Sequence, residues 1–185
     1  MKQIILLCFL YISLNVVFGQ VDTVEIYSEV MDHTIPNLVI TPKDYTEQND
    51  NLPVIYLLHG AGGYFSNWFF RVPEIEQYAT DYNVIIVCPD GDKTSWYIDS
   101  PVDSTSQYES YITRELVPAV DQKYRTIKQK DGRAITGLSM GGHGAFYLAF
   151  RNQDIWGAAG SMSGGVNIIP FAEKWNMDEI LGPYN

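Results

Sequence analysis

The segment Ala134-Ile135-Thr136-Gly137-Leu138-Ser139-Met140-Gly141-Gly142-His143-Gly144 most constrains what this 185-residue chain can fold into. It reads as strand, sharp turn and helix, with G-x-S-x-G at the turn, the pattern of a nucleophile elbow. Arg133 to Thr136 is a β-prone run after a polar loop, and Gly144 to Phe150 is apolar and helix-compatible. A serine hydroxyl is a weak nucleophile until a base takes its proton, and it must stand clear of the backbone to meet a carbonyl. The elbow holds it in a strained turn that small neighbours tolerate. Gly137 and Gly141 leave room where strand and helix nearly touch. The Met140 N–H points to where negative charge develops on a substrate oxygen, and losing one such donor costs about 10²–10³ in kcat. Taken alone, the pattern fixes only three small residues, so a glycine-rich turn with an incidental serine is the alternative.

A second segment argues against that alternative. Pro53-Val54-Ile55-Tyr56-Leu57-Leu58-His59-Gly60-Ala61-Gly62-Gly63 is an apolar run ending in His-Gly and a glycine-rich loop. A continuous apolar run suits a central parallel strand covered on both faces. A loop of this type, before the elbow in the chain, supplies the second oxyanion N–H in α/β-hydrolases. Ala61 is the candidate donor. Around these two segments, strands alternate with helices. Thr23–Tyr27 and Leu38–Ile40 read as early antiparallel edge strands, Pro73–Tyr82 as a helix, Val84–Cys88 as a strand and Ser106–Tyr124 as a long helix kinked at Pro118. Gly157–Ser163 reads as a further buried strand and Trp175–Leu181 as a short helix. The expected architecture is α/β, an α/β-hydrolase fold with a mainly parallel sheet and helices on both faces.

The first stretch is set apart. Lys2 precedes an apolar run from Ile4 to Phe18, and Val17-Phe18-Gly19 resembles a cleavage site, so residues 1–19 are expected to be a secretory signal peptide. A membrane anchor is the alternative, but the run is short for a span of about 20 residues. The expected protein is therefore secreted or periplasmic, not membrane-bound after cleavage. Removing Lys2 takes the net charge from −10 to −11, which argues against nucleic acid and anionic lipid. Of two cysteines only Cys88 would remain, at the end of an apolar run, where a buried small hydrophobe is expected. No dinucleotide or phosphate-binding glycine loop and no metal-ligand spacing is present, so no cofactor and no metal are expected.

Four motifs now agree in order: Leu57-Leu58-His59-Gly60-Ala61-Gly62-Gly63, Val87-Cys88-Pro89-Asp90-Gly91, Ser95-Trp96-Tyr97 and Gly137-Leu138-Ser139-Met140-Gly141-Gly142. From about Val21 onward the chain resembles the "Putative esterase" family, the branch of α/β-hydrolases that includes esterase D (S-formylglutathione hydrolase), secreted feruloyl and acetyl-xylan esterases, and mycolyltransferases. The resemblance implies a serine carboxylic-ester hydrolase working through an acyl-serine. Ser139 matches the nucleophile, and the backbone N–H groups of Met140 and Ala61 match the oxyanion hole. Export favours acylated carbohydrate or other small esters as substrates. The departure is the triad's acid and histidine, which follow the serine in this family. Only 46 residues follow Ser139, and His143 is their only histidine. Asp154 and Asp178 come too soon to carry the acid's role. Residues 20–185 are thus expected to be an esterase domain incomplete at its C-terminus, with little activity alone. The alternatives are a non-catalytic glycan-binding relative and an acyltransferase of the same family.

Other residues invite a role. His143 lies one helical turn after Ser139, on a helix that recedes from the site, and reads as structural. His59 ends the third strand and reads as orienting the oxyanion loop through hydrogen bonds. His33 reads as a solvated turn residue. Trp68 and Trp96 fall on loops at the strand ends, where open α/β sheets bind ligands. They are candidate substrate-binding platforms, with packing beneath loops as the alternative. Asp99 reads as a turn residue beside Ser100-Pro101.

Overall fold

The computed structural model describes residues 21–171 and 173–183. The expected signal peptide, 1–19, lies outside the described residues. One six-stranded sheet organises the chain, in the order β1-β2-β4-β3-β5-β6. β1 (Val21–Ser28) and β2 (His33–Ile40) form an antiparallel hairpin. β2 pairs antiparallel with β4 (Ile85–Pro89). From there the sheet is parallel, through β3 (Val54–Leu58), β5 (Arg133–Gly137) and β6 (Ala158–Ala159). The expectation of a mainly parallel sheet holds for its centre, and the antiparallel pairings are confined to the N-terminal hairpin side.

Both faces of the sheet are covered, which explains the unbroken apolar runs of β3 and β4. On one face lie α1 (Asn67–Arg71) and α2 (Ile75–Asp81). Ile75 and Ala79 pack there against Leu38, Ile40, Ile86 and Cys88. Cys88 is fully buried, and desolvation pushes its thiol up to about 12, so it is an inert hydrophobe. On the other face lie α3 (Tyr108–Ser110), a π-helical turn (Tyr111–Leu116) and α4 (Val117–Lys123), which run on as one helix, together with α5 (Met140–Arg151). Tyr111, Ile112, Leu116, Ala145 and Leu148 meet Val54, Tyr56, Leu58, Val87 and Ile135 there. A short helix, α6 (Met177–Leu181), adds Met177 and Ile180 to this core.

Ahead of Pro118, where a kink was expected, the helix widens into a π-helical turn. Proline has no N–H for an i−4 bond, and its ring crowds the carbonyl of that residue. The preceding residues adopt the i→i+5 pattern, with the Val117 N–H donating to Ile112 O. The segment 157–163 departs from expectation. It forms only a two-residue strand, and Ala158 and Ala159 are both exposed. It pairs on one side with Ala134 and Ile135 of β5, and α5 touches it from the Gly142 side without burying the two alanines. Among the described residues no helix is long and apolar enough to cross a membrane.

Candidate active site

The elbow forms where β5 ends and α5 begins. Ser139 sits at the helix N-cap with φ of +56° and ψ of −115°, a left-handed backbone that side chains rarely adopt. The strain lifts the residue onto the surface, where it is exposed. The elbow is braced by a neighbour in the sheet. The Ser139 N–H donates to Met162 O at 2.8 Å, and the Met162 N–H donates to Gly137 O at 2.9 Å. The segment Gly160–Gly164, a second glycine-flanked serine motif in the sequence, therefore serves to hold the first. Its contact with α5 is close: a Cβ on Gly142 would lie 2.8 Å from Ser161 Oγ and 2.9 Å from Gly164 Cα.

The loop after β3 runs beside the serine. A Cβ built on Gly60 would fall 3.5 Å from Ser139 Cβ and 3.2 Å from Leu138 O. The crossing of β3 over the elbow is tighter still. A Cβ on Gly141 would lie 2.5 Å from Leu58 O and 2.7 Å from His59 O, and one on Gly137 would lie 2.6 Å from Gly141 C. These two glycines are required by contact with backbone. Among the described residues, neither the Met140 N–H nor the Ala61 N–H donates a hydrogen bond within the chain. Two backbone donors are thus open, one directly after the exposed serine and one directly after Gly60, which borders it.

His59 orders that loop. Its Nδ1 lies 2.9 Å from Gly60 O, and its Nε2 lies 2.9 Å from the Gly91 nitrogen. A carbonyl only accepts and an amide N–H only donates, so the ring is neutral, with its proton on Nδ1. Burial lowers its pKa, against opposing pulls from the Gly60 carbonyl, Asp90 and Asp92. Tyr97 completes the support: its hydroxyl donates to His59 O at 3.1 Å, and its ring lies edge-on to the imidazole. Asp90, part of the motif Val87–Gly91, accepts the Phe65 N–H at 3.1 Å and so ties the loop after β4 to the loop after β3. An aspartate directly after an apolar strand was the available signal.

The candidate platforms separate. Trp68 is half-buried, donates from Nε1 to Leu58 O at 3.0 Å, and lines a small cleft with His59, Gly60, Asn67, Arg71 and Leu138. It therefore stands next to the elbow. Trp96 is only 4% exposed and donates to Trp175 O at 3.1 Å, with its ring against Trp175 and edge-on to His143. Its place is in packing under the loops. Asp99 accepts the Ser110 N–H and hydroxyl at the end of α3.

No imidazole hydrogen-bonds the serine among the described residues. His59 is committed to Gly60 and Gly91, the His143 Nδ1 to Gly165 O at 2.8 Å, and the His33 Nδ1 to Met31 O at 3.0 Å. Among the described residues no group of three or more His, Cys, Asp or Glu could hold a metal ion.

Burial lowers the pKa of both His59 and His143. Unfolded histidine titrates near ~6.5, so below that value the unfolded chain takes up protons that the native rings resist. The sign follows from linkage: stability is fully present above the unfolded pKa and declines as pH falls through it. The thermal midpoint followed by circular dichroism should drop between about pH 7.5 and 5; a midpoint that is flat or rises on acidification would contradict the burial argument.

An exposed serine at a strand-to-helix elbow over a parallel sheet is the arrangement of an α/β-hydrolase-type fold. The "Putative esterase" family profile matches residues 28–179, and the chain belongs to that family. It is similar to an esterase of Mycobacterium tuberculosis, 34% identical over 133 residues, which covers 70% of this chain and 29% of that protein. The chain thus spans under a third of that relative's length. Among solved structures, a ferulic acid esterase superposes with a TM-score of 0.76 at 29% identity, covering 89% of this chain and 66% of that one. A fluorophosphonate-binding serine hydrolase of Staphylococcus aureus shares the fold, with a TM-score of 0.81 at 22% identity over 90% of this chain and 67% of its own.

Proposed function

We propose that the protein is a serine carboxylic-ester hydrolase in which Ser139 is the acyl acceptor. The Ser139 hydroxyl oxygen attacks the ester carbonyl and gives its proton to a base. The resulting oxyanion takes hydrogen bonds from the Met140 and Ala61 N–H groups. Collapse breaks the ester C–O bond, the alcohol leaves with a proton, and water later releases the acid from the acyl-serine. Trp68, beside the elbow, borders the space for the acyl or alcohol part. Similarity to a ferulic acid esterase supports an acylated carbohydrate or other small ester as the substrate. The apolar run at residues 4–18 supports export, with residues 1–19 as a cleaved signal peptide and residues 20–185 as esterase domain.

The observation that carries this reading is the exposed Ser139 at positive φ with two open backbone donors next to it. Mass spectrometry of the intact chain after exposure to p-nitrophenyl acetate tests it. The chain should gain one acetyl group, and Ser139→Ala should gain none. Equal acetylation of the variant would remove Ser139 from the role.

A further inference from the structure

The cleft beside the elbow holds two polar side chains that the rest of the chain leaves unused. Asn67 and Arg71 are four residues apart on α1, so they share one face of it, and both line the cleft with Trp68, Gly60 and Leu138. The Asn67 carboxamide lies against the loop after β3, since a Cβ on Gly63 would fall 2.7 Å from its Nδ2. Neither side chain makes a hydrogen bond among the described residues. Arg71 is exposed, and the ion pairs among the described residues join Lys123 to Asp22, Arg133 to Asp121 and Arg151 to Glu109, leaving it out. The chain has 12 basic residues against 22 acidic ones, so a cation without a carboxylate partner next to the elbow calls for one from outside.

Space and proton chemistry narrow what that partner is. The cleft has about 30 Å³ of room, enough for roughly two waters at about 10–15 Å³ each. It takes a carboxylate and not a sugar ring. A guanidinium fork donates two parallel N–H bonds to a carboxylate, and the Asn67 carboxamide adds a third donor. Trp68, pinned by its bond to Leu58 O, gives a flat wall for an aliphatic stem. The side of the ester follows from the leaving group. A departing alkoxide needs a proton. In this cleft the His59 Nδ1 proton is committed to Gly60 O and the Trp68 Nε1 proton to Leu58 O, and a guanidinium does not release its proton. The alcohol therefore leaves elsewhere, and the acyl part belongs on this side.

We propose that the acyl part of the substrate ends in a carboxylate held by Arg71 and Asn67, so that the preferred esters are half-esters of short dicarboxylic acids. Arg71 is then a specificity-determining residue. This rests on Ser139 as the acyl acceptor.

The test compares acylation of the full chain by mono-p-nitrophenyl adipate and by p-nitrophenyl methyl adipate, whose far end is neutral. Release of p-nitrophenolate is read against a protein-free blank, and the acyl mass is located on Ser139. The charged ester should acylate Ser139 about fivefold faster, the size of an exposed ion pair. The ratio should fall toward one in 1 M salt, where the screening length is about 3 Å. Arg71→Gln should bring the ratio to one or below, because the net charge of −10 then disfavours the anion, and Arg71→Lys should keep part of it. Equal rates for the two esters, or a ratio that Arg71→Gln leaves unchanged, would overturn the proposal. If neither ester acylates Ser139, the acyl-acceptor reading fails, and an NMR titration of the full chain with monomethyl adipate and dimethyl adipate decides the carboxylate site separately. Saturable shifts of the Asn67 side-chain amide with the monoanion alone support the site; equal shifts with both, or none, overturn it.

Discussion

Gly141→Ala should destabilise the protein by about 1–3 kcal/mol, the usual cost of forcing a methyl into a filled site. The added Cβ would meet Leu58 O at 2.5 Å and His59 O at 2.7 Å. Both are backbone atoms at the end of a central strand, so no side chain can rotate away to make room. Either α5 must move off β3 or the end of β3 must bend. The second response displaces the Gly60–Ala61 loop, because His59 and Gly60 lead directly into it. Acetylation of Ser139 should therefore slow as well. For a chain of this size each kcal/mol moves Tm by about 2–4 °C, so a melting curve reads the effect directly. An unchanged Tm with unchanged acetylation would show that the strand-to-helix crossing is looser than its geometry implies.

The second large effect concerns rate. Acting alone, the 185-residue chain should release close to one equivalent of p-nitrophenolate from p-nitrophenyl acetate and then almost stop. An activated leaving group departs without help from an acid, so acylation can proceed slowly on a serine that no base assists. Deacylation requires a deprotonated water, and none of the three histidines of the sequence hydrogen-bonds Ser139. Without triad partners, an oxyanion hole and binding still leave a rate of about 10³–10⁴ over water. Absorbance of released p-nitrophenolate separates the two phases. Sustained turnover near the ~10 s⁻¹ typical of enzymes would mean that a base reaches Ser139 in solution.

Much of the site was legible in the sequence because its demands are local. G-x-S-x-G predicts an elbow through steric limits that act within five residues, and the structure forms it at Ser139. The apolar run after Pro53 predicts a strand covered on both faces, and β3 buries Val54, Tyr56 and Leu58 on one face and half-buries Ile55 and Leu57 on the other. His59 was read as ordering the loop after β3 because it ends that strand, and its ring bridges Gly60 and Gly91 there. Trp96 shows where local reasoning stops. Its burial is decided by Trp175, Gly165 and His143, which the fold brings in from 47 to 79 positions away, and no spacing along the chain encodes that. The segment 157–163 fails for a related reason: small apolar residues read as core, but burial needs a covering layer, and α5 leaves Ala158 and Ala159 exposed. The bracing of Ser139 by Met162 was invisible because it runs through backbone atoms, to which side-chain patterns are blind.

A crystal structure of the protein after reaction with a p-nitrophenyl alkylphosphonate would locate the nucleophile and the oxyanion donors together. Phosphorus should be bonded to Ser139 Oγ, with one phosphonyl oxygen within about 2.7–3.1 Å of both the Met140 and Ala61 nitrogens. An adduct on another residue, or a phosphonyl oxygen turned away from those two N–H groups, would contradict these roles.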